Sequence, residues 1–287
     1  MEGIKALTML KEHQIDIAYR IFRGYVDQIR LSHSKIHREY SDYSTKRATS
    51  NLLNDMRASK TIVGPRIWCN SGYEVKLVKE TNEDPLILYE KLVQDPKVSY
   101  VMALEGYHNF LVFKNGATIL KFAKAIVPSY PSKKTLYDID PTEKGKLPID
   151  HYPEKWDEYD WRVYELMRDP NVKYWKVGQK IGMSWQTAKR RFWRIMKQCK
   201  VFVGFYPLGF DSYSQAIITF KTEYEIGIMK ELEKIDRSSF IFKFDDTIIL
   251  FLSYENTSMN YPFSKLRKEG KICDLHISNP VKYTNRF

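Results

Sequence analysis

A chain that matches itself at a fixed offset has to fold as two related halves, and this one does so at an offset of 140 residues. At that offset Ser44/Ser184, Ala48/Ala188, Met56/Met196, Lys60/Lys200, Val63/Val203 and Gly64/Gly204 coincide without a gap, six identities over 21 positions. The helix and strand signals around them agree as well, and that agreement makes a duplication credible. Between the copies, residues 128–153 hold five of the twelve prolines. Proline stops a helix and biases its predecessor toward extended backbone, so this stretch reads as a stiff connector.

The second copy is the clearer one. Ser184 is placed to cap a helix reaching Cys199, on which Ala188, Phe192, Ile195, Met196 and Cys199 form one apolar stripe. Before it, Val177 and Ile181 sit four apart on a short helix that Gly182 ends in a left-handed conformation. Trp156, Tyr159, Val163 and Met167 mark an earlier helix stopping at Asp169-Pro170, and 201–205 is an apolar strand. The result is a helix-turn-helix with a strand behind it, as in a winged helix. The first copy repeats this with Ile15, Ala18, Phe22 and Tyr25, then Ile36 and Tyr40, a turn at 41–43, and a helix capped by Ser44 that turns Ala48, Leu52, Met56 and Ser59 inward.

Strands and helices alternate after each winged helix. The first half predicts strands at 73–78, 98–104 and 110–113 with helices at 85–94 and 117–126. The second predicts strands at 215–220, 240–244, 248–254 and 272–277, a helix at 223–235 and a less regular stretch through 266. Two helices on one face of an antiparallel sheet is the ferredoxin-like arrangement, and it leaves one amphipathic sheet face in need of a partner. The predicted class is α+β: two winged helix-turn-helix domains (1–70 and 154–212) and two ferredoxin-like (βαββαβ) domains (71–127 and 213–287), with a Pro-rich linker at 128–153.

Composition narrows the function. Lys and Arg number 46 against 35 Asp and Glu, a net +11 that favours a polyanionic partner. No apolar run approaches the ~18 residues of a membrane span, and charges interrupt the apolar start of the N-terminus, so neither a membrane protein nor a secreted one is expected. Cys69, Cys199 and Cys273 lie far apart and make neither a disulfide ladder nor a metal cluster. The expectation is a soluble cytoplasmic protein with no cofactor and no metal. His33 and His37 lack a third ligand and read as a solvent-facing pair, and the Gly178-to-Gly182 spacing lacks the glycine set of a nucleotide loop.

The order winged helix then ferredoxin-like sheet resembles the leucine-responsive (Lrp/AsnC, feast/famine) transcription regulators. The likeness is carried by residues 157–204 in the second half and 72–113 in the first, where Gly106 opens a short polar loop after the second strand. Members of that family usually hold one copy of each domain, so this chain is similar to a tandem-duplicated prokaryotic member of archaeal type. The resemblance implies a non-enzymatic DNA-binding regulator whose sheets pair, within the chain or between chains, to present two recognition helices. It also implies a small-molecule effector at Gly106, Tyr107, His108 and Asn109. The family's acidic residues in that loop are replaced here by His108 and Asn109.

Segment 184–200 carries Lys189, Arg190, Arg191, Arg194, Lys197 and Lys200 with no acid among them. Ser184, Gln186, Thr187, Lys189, Arg190, Arg191, Arg194 and Lys197 are the expected contacts to double-stranded DNA, Gln and Arg to base edges and the rest to phosphates. In the first copy Thr45, Lys46, Arg47, Thr49 and Ser50 are the equivalents, on a helix of net +3. Two alternatives stand beside this. A low-specificity architectural protein would coat DNA with the same helices. Sirohaem decarboxylases look like the same fold and convert a tetrapyrrole in the cleft between sheet domains.

Overall fold

The computed structural model describes residues 9–79, 81, 83–115, 120–255 and 260–285. Helices α1 (Glu12–Asp27), α2 (His33–Glu39) and α3 (Lys46–Ala58) lead into strand β1 (Ile62–Trp68). In the second half α5 (Glu158–Leu166), α6 (Tyr174–Ile181) and α7 (Trp185–Ile195) lead into β6 (Lys200–Phe205). The local signals explain these units. Ser184 Oγ accepts from Thr187 N at 3.2 Å, and Gly182 closes α6 at φ +71°, where a side chain would be strained. In the first copy the cap falls one residue later than expected, on Thr45, which accepts from Ala48 N at 3.3 Å.

The two wings do not stay with their own helices. β1 and β6 pair antiparallel with each other, Ile67 opposite Val201 and Trp68 opposite Lys200. Val203 and Phe205 of the second half fill the core formed by Ile21, Phe22 and Leu52 of the first. Ile67 and Cys69 of the first half join Val163, Val177 and Phe192 of the second. Each helical unit therefore completes its core with a strand from the other copy.

The same exchange runs through the sheets. The strands β2 (Tyr73–Val78), β3 (Val98–Gly106), β4 (Phe110–Asn115), β5 (Leu120–Ile126), β7 (Ser214–Thr222), β8 (Ser239–Phe244), β9 (Thr247–Tyr254) and β10 (Ile272–Asn285) form one antiparallel sheet in the order β2-β4-β3-β10-β7-β9-β8-β5. β10 joins the halves: its start pairs with β7 and its end with β3, with bulges between. The helix expected over 117–126 is a strand from Leu120 onward, and it crosses to pair with β8; Ala117 lies outside the described residues. The less regular stretch before β10 contains helix α9 (Asn260–Lys268). The α+β class and antiparallel sheets are as expected.

Alternation along β7 separates the two sheet faces. Ala216, Ile218 and Phe220 point to one face, which α8 (Glu225–Leu232), α9 and the segment 128–153 cover through Ile228, Leu266 and Leu136. α4 (Pro85–Gln94) covers the same face of the first half, with Tyr89 against Val101 and Phe110. The proline-rich segment is extended but packed down: Leu147 N donates to Glu225 Oε2 at 2.7 Å and Gly145 N to Glu223 O at 2.9 Å. Ile217, Tyr100, Phe113 and Ile249 point to the other face, which is concave because the edge strands β2 and β5 approach each other. No described helix is long and apolar enough to cross a membrane.

Candidate active site

That concave face holds a cavity of about 370 Å³, roofed by the exchanged wings. Tyr100 and Met102 of β3, Phe113 of β4 and Phe242 of β8 form its floor. Trp68 of β1 and Phe202 of β6 form the roof. The rings are mutually ordered: Phe202 stacks on Phe240 with centroids 5.9 Å apart and planes 7° from parallel, and meets Trp68 at 5.6 Å. Tyr100 stacks on Tyr283 at 6.3 Å toward the mouth. A box of flat rings favours a flat, apolar ligand body.

Arg66 and Arg168 are the only charged residues among the described lining, which contains no acid, lysine or histidine. Arg66 is half exposed and pairs with Asp169 at 3.1 Å. Arg168 is held by its backbone, whose carbonyl accepts from Ile67 N at 3.0 Å, and its guanidinium lies 5.2 Å from the Tyr164 ring centre. Two guanidiniums beside an aromatic box suit carboxylates on the rim of a flat molecule. Tyr100 and Tyr206 also line the cavity, and burial pushes both hydroxyls well above their ordinary range, so they stay protonated. A second cavity, of about 470 Å³, contains Lys124 and Lys200, but Glu233 takes the first at 3.0 Å and Asp150 the second.

The residues expected to touch DNA lie elsewhere, on the helical units. Along α7 and the 3-10 turn after it, Gln186, Lys189, Arg190 and Lys197 are exposed, and the three cations make no ion pair among the described residues. Ser184 is occupied as the cap and bonds Thr187 Oγ1 at 3.0 Å. Arg191 donates to Asp157 at 2.7 Å and Asp160 at 2.8 Å, and Arg194 is bonded to Asp160. On the first copy Lys46 and Arg47 are exposed and Thr45 caps α3. Thr49 is buried and bonds His37 Nδ1 and Ser41 Oγ, each at 2.9 Å, while Ser50 meets His33 Nδ1 at 3.3 Å. The two histidines thus face α3.

The loop of Gly106, Tyr107, His108 and Asn109 does not reach the cavity; it is closed by β10 of the other half. Gly106 has φ +125°, and a Cβ there would meet Ile277 O at 2.7 Å. His108 N donates to Ser278 Oγ at 3.0 Å, and Asn109 N to Val78 O at 2.7 Å. Tyr107 stacks on His276 with centroids 3.6 Å apart, and Lys79 Nζ lies 4.8 Å from the Tyr107 ring centre. Burial, then His276 and Lys79, push the His108 pKa down to about 4.

Sequence reasoning missed Trp68, Arg66 and Arg168. The signal for the floor was present as alternation in the strands, which left one sheet face unpartnered.

No protein-family model matches the chain, and neither does any curated protein. Two solved structures share its architecture. The crystal structure of the siroheme decarboxylase NirDL covers 95% of this chain and 92% of its own, with a TM-score of 0.54 and 8% identity. NirDL in complex with an iron-uroporphyrin III analogue covers 94% and 92%, with a TM-score of 0.53 and 8% identity. At that identity the likeness is one of fold. It nevertheless overturns the expectation that the chain is not an enzyme, because the solved structures matching it almost end to end are those of a decarboxylase.

Proposed function

We propose that the protein is a tetrapyrrole enzyme of the decarboxylase type, with the aromatic cavity as its substrate site. One observation carries the reading: a cavity walled by flat rings whose only charged lining, among the described residues, is Arg66 and Arg168. A flat macrocycle enters against Phe202, Phe240 and Tyr100, and its peripheral carboxylates meet the guanidiniums. Loss of CO₂ from a carboxylate side chain leaves an electron pair on carbon, which takes one proton to finish a redox-neutral step. Tyr100, Tyr206 and Tyr283 place phenol hydroxyls in the lining, and these are the groups to supply it. The likeness to a siroheme decarboxylase supports this reading. Absorbance titration of the purified chain with an iron-uroporphyrin tests it, with mass analysis of the product. Saturable binding weakened about 10–100-fold in Arg168→Ala supports it; no spectral change at micromolar ligand overturns it.

A second reading, groove contact by α7, is favoured by the exposed and unpaired Lys189, Arg190 and Lys197 around Gln186. It predicts duplex binding that falls steeply with salt, and a flat response between 50 and 200 mM contradicts it.

A further inference from the structure

Cys69 and Cys199 belong to different halves, yet the pairing of the wings brings them face to face. In the β1–β6 register Ile67 opposes Val201 and Trp68 opposes Lys200, the last pair of the ladder; continuing that register one step places Cys69 against Cys199, and the two thiols are within hydrogen-bonding reach. The two do not exchange backbone hydrogen bonds, because Cys69 N donates to Tyr164 Oη at 3.2 Å and Cys199 N to Met196 O at 3.3 Å. Opposed antiparallel residues of that kind have Cα atoms about 4.5 Å apart with side chains close, inside the range a disulfide needs of about 4.4–6.8 Å. Both side chains enter the same core, that of the second helical unit, and both are free thiols.

We propose that Cys69 and Cys199 are an oxidative modification site, joined by a peroxide into a disulfide that staples the two halves at the cavity roof. The thiol–thiol hydrogen bond and burial hold the Cys199 pKa up, so the reaction is slow and the bond acts as a lock rather than a rapid sensor. One of the two sulfurs takes a peroxide oxygen as a sulfenic acid, releasing water. The other thiol then attacks that sulfur, expelling a second water, so two thiols are oxidised and one hydrogen peroxide is reduced. Cys69 follows Trp68 directly, so the staple fixes the strand that carries the roof ring. Cys273, exposed and bonded through Sγ to Lys221 O at 3.8 Å on β7, is not part of the pair.

The test uses the full reduced chain carrying Cys273→Ser, treated with hydrogen peroxide and digested without reduction. The expected product is a cross-linked peptide pair containing Cys69 and Cys199, with the loss of two hydrogen masses from the intact chain. The thermal midpoint rises by about 5–10 °C and returns on reduction. Cys69→Ser and Cys199→Ser each abolish the cross-link. Sulfinic acid on Cys199 with Cys69 still alkylatable overturns the proposal, as does a cross-link that forms only between separate chains. The cross-linked peptide is sought in the chain with both thiols intact, so the test stands even where a serine variant at either position fails to fold.

Discussion

Arg191 on α7 is tied to Asp160 on α5 by a 2.8 Å bond in which the carboxylate is fully buried. Asp157 and Asp160 cap α5 reciprocally, with Asp160 N donating to Asp157 Oδ1 at 2.9 Å, and the same carboxylates then take Arg191 and Arg194. The pair thus fixes how α7 sits on α5 and removes two cations from the ridge. Replacing Asp160 with Ala leaves Arg191 with the half-exposed Asp157 alone and removes the buried carboxylate that Arg194 also holds, and should cost about 2 kcal/mol. Urea unfolding of D160A measures it; a loss under about 0.5 kcal/mol would show the contact to be ordinary surface pairing.

Glu225 is completely buried at the start of α8 and holds Lys243 at 2.7 Å, Lys146 at 3.2 Å and the backbone N of Leu147 at 2.7 Å. Glu225→Ala strands Lys243 and removes the strap's contacts through Lys146 and Leu147, leaving those such as Gly145 N to Glu223 O. The expected loss is about 3–5 kcal/mol. Limited proteolysis should then cut first within 128–153, and an unchanged cleavage pattern would show that other contacts hold the strap.

Caps and stripes made the helical units legible, because those signals are local: Ser184, Gly182 and the row Ala188–Phe192–Ile195 act within one or two turns. Strand exchange left no such trace. Residues 120–126 mix Ala and Lys, which suit a helix, and only the free edge of β8 makes them a strand. The cavity floor was half legible, as an amphipathic sheet face left without a partner. Arg66 and Arg168 were not, since they meet only because β1 packs into the other half's core. The ridge of α7 reads as uniformly cationic for a related reason: its neutralising acids, Asp157 and Asp160, sit two helices upstream, outside the basic segment itself.

His108 is buried with a pKa near 4, against about 6.5 when unfolded. Above pH 6.5 neither state is protonated and the native fold has its full stability. As pH falls from 6.5 toward 4 the unfolded chain takes up a proton that the native loop resists, so stability declines. The contribution is on the order of 1–3 kcal/mol across that window. His108→Leu should flatten the dependence of the urea midpoint on pH between 7 and 4.5, and an unaltered slope would place the titrating group elsewhere.

Phe202 touches the rings of Trp68 and Phe240 at 5.6 and 5.9 Å and is the roof ring contributed by β6. Truncating it removes two ring contacts from a partly buried position, so Phe202→Ala should cost about 1.5–3 kcal/mol. Phe202→Leu keeps most of the volume and should cost less than about 1.5 kcal/mol. The two variants separate packing from recognition. If a macrocycle stacks in the cavity, Leu restores stability but not the ring face, and iron-uroporphyrin affinity stays about tenfold down in both. Affinity that tracks stability instead, recovering in Phe202→Leu, would mean that the ring serves only to hold the wings together.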